Sequence, residues 1–237
     1  VRDGLPDLPP VFGPVVALRE GGDALARAAA LAPAQGAGTL VWVGAWSRVE
    51  AAVVVEPEQP LRAARPVLLA AANALADALA ALGPPQAVIA LRWPATLVVN
   101  HGTVGGARLV APPGAAEDAV PDWLAVGVEA RRSFPAGHVP GADPDRTSLL
   151  EEGFDEVDTT ELTAAWARHL MAGFTDWQDR GFARLAERYL ARLEHDGATE
   201  GLRRGLDPGT GDLVLERPDG ARTRRALRDA AMAEVVA

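Results

Sequence analysis

Residues 91–109 read LRWPATLVVNHGTVGGARL, and this one stretch concentrates groups that can grip a small anion. Arg92 and Arg108 each carry a guanidinium, a planar fork of donors that holds a carboxylate or phosphate through two parallel hydrogen bonds. Trp93 adds an aromatic wall, Asn100 an amide and Thr103 a hydroxyl. Gly105 and Gly106 stand inside a run that otherwise reads as a strand, where glycine weakens pairing. They point to a bulge, a kink or a close backbone approach to a ligand. One chemistry is excluded: all 23 basic residues are Arg, so no step can use a lysine ammonium.

These groups need a hairpin to hold them. The runs 86–93 and 96–100 read as two strands, Asn100-His101-Gly102 has the chemistry of a tight turn with His101 at its exposed tip, and 103–110 returns antiparallel. A further strand, 122–132, carries Gly127 in mid-run. Upstream, 14–20, 38–44 and 51–57 are β-branched or apolar runs, with an Ala-rich helix over 21–32 between the first two. Residues 61–83 form a helix so uniformly apolar that it must be buried against a sheet, and Gly83-Pro84-Pro85 ends it. Leu162, Trp166, Leu170, Phe174 and Trp177 recur at helical spacing as core packing. Gly181 breaks the run before a second helical face of Phe182, Leu185, Tyr189 and Leu193. From residue 196 short strands alternate with Asp-Pro-Gly and Pro-Asp-Gly turns, which predicts a small β-barrel. The expectation is an α+β fold: a mixed or antiparallel sheet backed by helices over 1–195, and a small C-terminal domain over 196–237.

Composition narrows the function. The formal charge of −9 argues against nucleic acid as a partner. With no cysteine and four scattered histidines, neither a disulfide nor a metal site is expected. No apolar run approaches the roughly 20 residues of a bilayer span, and the first ten residues lack a basic start and apolar core, so a cytoplasmic protein without a membrane is expected. The acidic stretch 151–161 reads as a solvated loop and helix start, with a docking face for a basic partner as the alternative. Trp42, Trp46, Trp93 and Trp123 are either walls of an acyl pocket or ordinary core.

RWPATLVVNHGTVGGARL resembles the Lys-Trp-Pro-Asn-Asp hairpin and following Lys-Val-Gly-Gly of the biotin and lipoate protein ligase family. PDWLAVGV (121–128), RTSLLEEG (146–153) and the Trp177…Gly181-Phe182…Leu185 pattern extend the resemblance over roughly residues 15–230. A branch of ligase-like proteins of unknown function from alphaproteobacteria is also similar. The resemblance implies a ligase-like α+β domain with an SH3-like C-terminal barrel. It also implies ATP with biotin or lipoate as the molecules handled by an active member, and a carrier protein as the acceptor.

The chain departs from that pattern at several points. The family's hairpin Lys falls at Thr103, its Asn-Asp pair at Ala95 and Thr96, and the Asn of its Gly-Ile-Asn strand at Glu129. Its Arg- and Gly-rich loop is reduced to a short connection with Gly44, Ser47 and Arg48. Loss of one preorganised donor alone lowers a rate about 100- to 1000-fold. Three readings follow: a ligase-fold protein without standard ligation that binds a small acyl or nucleotide-like molecule or a protein partner; an active ligase in which Arg92 or Arg108 replaces the Lys; and a non-catalytic structural or regulatory module. No catalytic residue is assigned. The ligand-binding candidates are Arg92, Trp93, Asn100, Thr103, Gly105, Gly106, Arg108 and Gly127.

Overall fold

Alternation along the strands decides what each side of the sheet buries. In β3 (Arg48–Val55), Val49, Ala51 and Val53 join one apolar cluster while Ala52 and Val54 join another, the two-residue period of an extended chain. β7 (Leu124–Arg131) repeats this, with Leu124, Val126, Val128 and Ala130 on the first side. Ala125, Gly127, Glu129 and Arg131 therefore share the second side.

The structure of the chain, a computed structural model, describes residues 4–139, 141, 143–195 and 199–231. Its main sheet has the order β1 (Val15–Leu18), β2 (Leu40–Val43), β3, β7, β6 (Gly102–Val110), β5 (Thr96–Val99), β4 (Ile89–Arg92). β1 and β2 pair in parallel and the other neighbours antiparallel, so the sheet is mixed.

One face is covered by α2 (Leu61–Ala64), α3 (Val67–Leu82), α4 (Thr159–Arg180) and α5 (Phe182–Arg192). The single helix expected over 61–83 is thus two. Pro66 has no N–H to give the preceding turn and its ring crowds the chain before it, so the helix restarts there. By length and composition Leu61–Leu82 is apolar enough to cross a bilayer, which corrects the expectation that no run reaches that length. The apolarity serves the core, for 78% of that window is buried inside the protein. Trp166 of α4 is fully buried and donates its Nε1–H to Ala71 O at 3.2 Å, locking α4 onto α3. Asp158 caps α4 by accepting from the N–H groups of Thr160 and Glu161, so the acidic stretch does end in a helix start. Gly181, at φ 77°, breaks α4 from α5.

The second face carries α1 (Ala24–Gln35), capped by Asp23, which packs Leu25, Ala28 and Ala32 on β2, β3 and β7. Beyond α5, β8 (Arg203–Leu206), β9 (Leu213–Glu216) and β10 (Arg222–Arg225) form an antiparallel sheet of open order β10-β9-β8, followed by α6 (Leu227–Ala231). A barrel was expected; among the described residues the sheet has three strands and does not close into one. Leu213, Leu215 and Leu227 join the apolar cluster of α3 and the main sheet. The expected boundary at residue 196 lies outside the described residues.

Candidate functional site

The register of β3, β7, β6, β5 and β4 sets polar side chains in rows on the α1 side of the sheet. Arg48 lies opposite Arg131. The next row runs Glu50, Glu129, Gly106, Thr96, Arg92, and the one after it Ala52, Gly127, Arg108. Arg48, Arg108 and Arg131 thus share with Glu50 and Glu129 a small area of β3, β7 and β6, beside the N-terminus of α1, while Arg92 stands on the edge strand β4. Carboxylates placed directly across a strand pair repel one another, so Glu50 and Glu129 need neighbouring cations.

Glu50 has them. It is 5% exposed, accepts the Ala24 N–H at 2.7 Å through Oε1 and the Arg48 Nε–H at 2.7 Å through Oε2. A carboxylate is favourable here because the N-terminus of a helix presents unpaired N–H groups and a partial positive charge. Arg48 also donates through Nη2 to the carbonyls of Glu20 and Gly22, so its guanidinium is committed within the protein. Arg108 is different. Its Nη2 is 3.9 Å from Glu129 Oε2, beyond hydrogen-bond range, and its side chain is 28% exposed.

Thr103 sits between two other guanidinium groups. Arg92 Nη1 donates to its hydroxyl at 3.3 Å, and Arg131 Nη1 approaches its carbonyl at 3.5 Å while donating to Thr147 O at 3.0 Å. Burial, followed by the charge of Arg146, lowers the Arg131 pKa from its ordinary value. Arg92 is held on its other side by Glu194, at 3.1 Å. Arg131 and Arg132 lie over the rings of Phe134 and Trp46, and Phe134 stacks on His138 at 3.5 Å between centroids.

Several of the sequence candidates are occupied by the protein itself. Trp93 meets Tyr189 edge-on at 6.1 Å and packs on the helical side. Asn100 accepts from Val88 N–H and donates to Glu152, closing the hairpin with φ 46°. The second positive-φ residue of the turn is His101, not Gly102, and it is 89% exposed as expected. A Cβ on Gly105 would lie 2.0 Å from Glu129 O and one on Gly106 2.5 Å from Ala95 O, so the close approach these glycines allow is to neighbouring backbone. Gly127 makes room for α1, because its Cβ would meet Leu25 at 3.3 Å. The four tryptophans do not gather: Trp42 and Trp93 pack on the helical side, Trp123 on the α1 side, and Trp46 is 64% exposed.

Arg92, Thr103 and Arg108 therefore remain on the polar face, joined by Glu50, Glu129 and Arg131. The signal for the added residues was present in RVEAAVVV and VGVEARR. Each is an apolar strand with an Arg and a Glu two residues apart, which puts both charges on one side. What the strands could not announce was that they are neighbours.

The sequence pattern of the biotin/lipoate A/B protein ligase family matches residues 8–191. A biotin–[acetyl-CoA-carboxylase] ligase of Paracoccus denitrificans is 31% identical over 197 residues, covering 76% of this chain and 78% of that protein. Among solved structures, a biotin protein ligase-like protein of unknown function from a Silicibacter species superposes with a TM-score of 0.80 at 26% identity. The match spans 96% of this chain and 99% of that one. The apo biotin protein ligase of Aquifex aeolicus superposes with a TM-score of 0.69 at 15% identity, over 90% of this chain and 95% of that one, a likeness of fold. With the family pattern matched over residues 8–191 and a relative 31% identical over most of both chains, the chain belongs to the biotin/lipoate A/B protein ligase family.

Proposed function

We propose that the polar face beside α1 binds a small carboxylic acid or nucleotide-like molecule, anchored by Arg108 and flanked by Arg92 and Arg131, and that the protein does not run ordinary acyl-adenylate ligation. The observation that carries this reading is the state of the cations. Position 103 offers a hydroxyl in place of an ammonium, and the four residues joining β2 to β3 include no arginine. Arg48, the first residue of β3, is spent on Glu50 and two carbonyls. Adenylation concentrates negative charge between acyl carboxylate and α-phosphate, and stabilising it takes donors already aimed at that point. Arg108 is partly exposed and only loosely paired, which suits ligand binding better than catalysis.

A second reading rests on a different distance. Arg92 Nη1 lies 3.3 Å from the Thr103 hydroxyl, so a guanidinium can stand near the place of the family's lysine. In that case the chain would activate biotin or lipoate with ATP and pass it to a carrier protein; the name of the Paracoccus relative pairs biotin with acetyl-CoA carboxylase.

ATP–pyrophosphate exchange with biotin, lipoate or octanoate separates the two. Under the first reading exchange stays at the level of heat-inactivated protein. One of these acids, or its adenylate, then raises the melting temperature by roughly 5–10 °C at a hundredfold excess over Kd, and Arg108→Ala removes the rise. Exchange above background that Arg92→Ala abolishes would overturn the first reading in favour of the second.

A further inference from the structure

We propose that the helical side of the sheet holds a second binding site, for a small amphiphilic ammonium compound. A cavity of about 650 Å³ opens there between the chain around Phe12, the end of β3 and the C-terminal half of α4. That volume lies within the range of small-molecule sites. The cavity arises where the apolar stripe of α4 runs past its cover. Leu162, Trp166 and Leu170 are sealed against α3, whereas Met171, Phe174 and Trp177 are only partly buried and line the open space with Val53. Val53 belongs to the face opposite Glu50 and Arg108, so this cavity is separate from the polar face.

Charge selects the occupant. Glu56 and Glu58 stand at the cavity, and no Arg or His is among its described lining residues. Glu56 is anchored there, because its Oε1 accepts the Ala37 N–H at 3.1 Å. Aromatic faces beside carboxylates are the chemistry that recognises an ammonium: the ring quadrupole attracts the cation and the carboxylate balances its charge. Phe174 and Trp177 supply the rings, and Val53 and Met171 supply surface for an alkyl or aryl body. An anion of the same shape meets two carboxylates and no counter-charge.

Calorimetric titration with decyltrimethylammonium and decanesulfonate, both below their micelle-forming concentrations, tests this. The expected result is one cation bound per chain, with the sulfonate at least tenfold weaker. Met171→Trp, which fills the cavity from a half-buried position, should abolish cation binding without lowering the melting temperature. Should that variant fail to fold, Gln178→Trp fills the same space from an exposed position on α4. Glu56→Gln combined with Glu58→Gln should narrow the preference for the cation, and Arg108→Ala should leave it unchanged. Equal binding of the two probes, no binding of the cation, or undiminished binding by a folded filled variant would overturn the proposal.

Discussion

The two faces of the main sheet come from the same strands and bury opposite kinds of side chain. On the helical side Val49, Val53, Leu124, Val126 and Val128 meet Leu68, Leu75, Leu79 and Trp166 in one continuous apolar cluster. On the α1 side a single helix covers part of the surface, and charged residues occupy the sheet beyond its N-terminus. The contrast assigns work to each face. Removal of apolar area from water on the first drives folding, while the second holds buried Glu50 against Arg48 and the N-terminus of α1 and leaves Arg108 partly exposed and loosely paired.

The largest effect expected from this division is on the helical side. Trp166→Ala should lose about 3–5 kcal/mol of stability by denaturant unfolding, since it leaves a cavity and removes the indole hydrogen bond to Ala71 O. A loss below about 1 kcal/mol would mean that this face is not the sealed one. On the α1 side, Glu50→Ala strips the carboxylate from Ala24 N–H and Arg48 and should cost roughly 1–3 kcal/mol. Glu50→Gln should recover part of that loss, because an amide oxygen still accepts from Ala24. If both variants unfold with the wild type, the charged row is decoration on a face held by α1 packing alone.

The smallest effect concerns His169 on α4. Burial lowers its pKa from the usual 6.5, and Arg168, Arg188 and Arg192 push in the same direction against the opposing pull of Asp77. The folded state therefore binds the imidazole proton less readily than the unfolded chain. This contribution is complete above pH 6.5 and is lost as pH falls through the folded pKa. Melting temperatures between pH 7.5 and 5 should fall less steeply for His169→Gln than for the wild type. Parallel curves would show that the group does not feel the folded protein.

Local chemistry in the chain already foretold much of the frame. Gly181 ends α4 because a residue at φ 77° favours glycine, and Ala- and Leu-rich α3 is buried as its uniform apolarity demanded. Pro66 was visible, but only the formed helices show that it divides α2 from α3. The candidate site was less legible. Arg92, Thr103 and Arg108 share the polar face as the hairpin suggested, yet Trp93 turns to the helical side, and Asn100 spends both ends of its amide on the turn. The glycines at 105 and 106 pointed to a ligand, a bulge or a kink, and the atoms beside them are the neighbouring backbone oxygens Glu129 O and Ala95 O.

The sequence by itself determined the properties that travel along one strand or one helix. These are the alternation that puts Arg48 with Glu50 and Glu129 with Arg131, the absence of any lysine, the hairpin between β5 and β6, and the stripe on α4. Only the tertiary structure decided which strands are neighbours. The order β3-β7-β6-β5-β4 brings five charged side chains from three strands together with the N-terminus of α1, and leaves a cavity where the α4 stripe outruns its cover. The physical reason is that strand pairing and helix docking join residues far apart in the chain, and their energies depend on which surfaces meet.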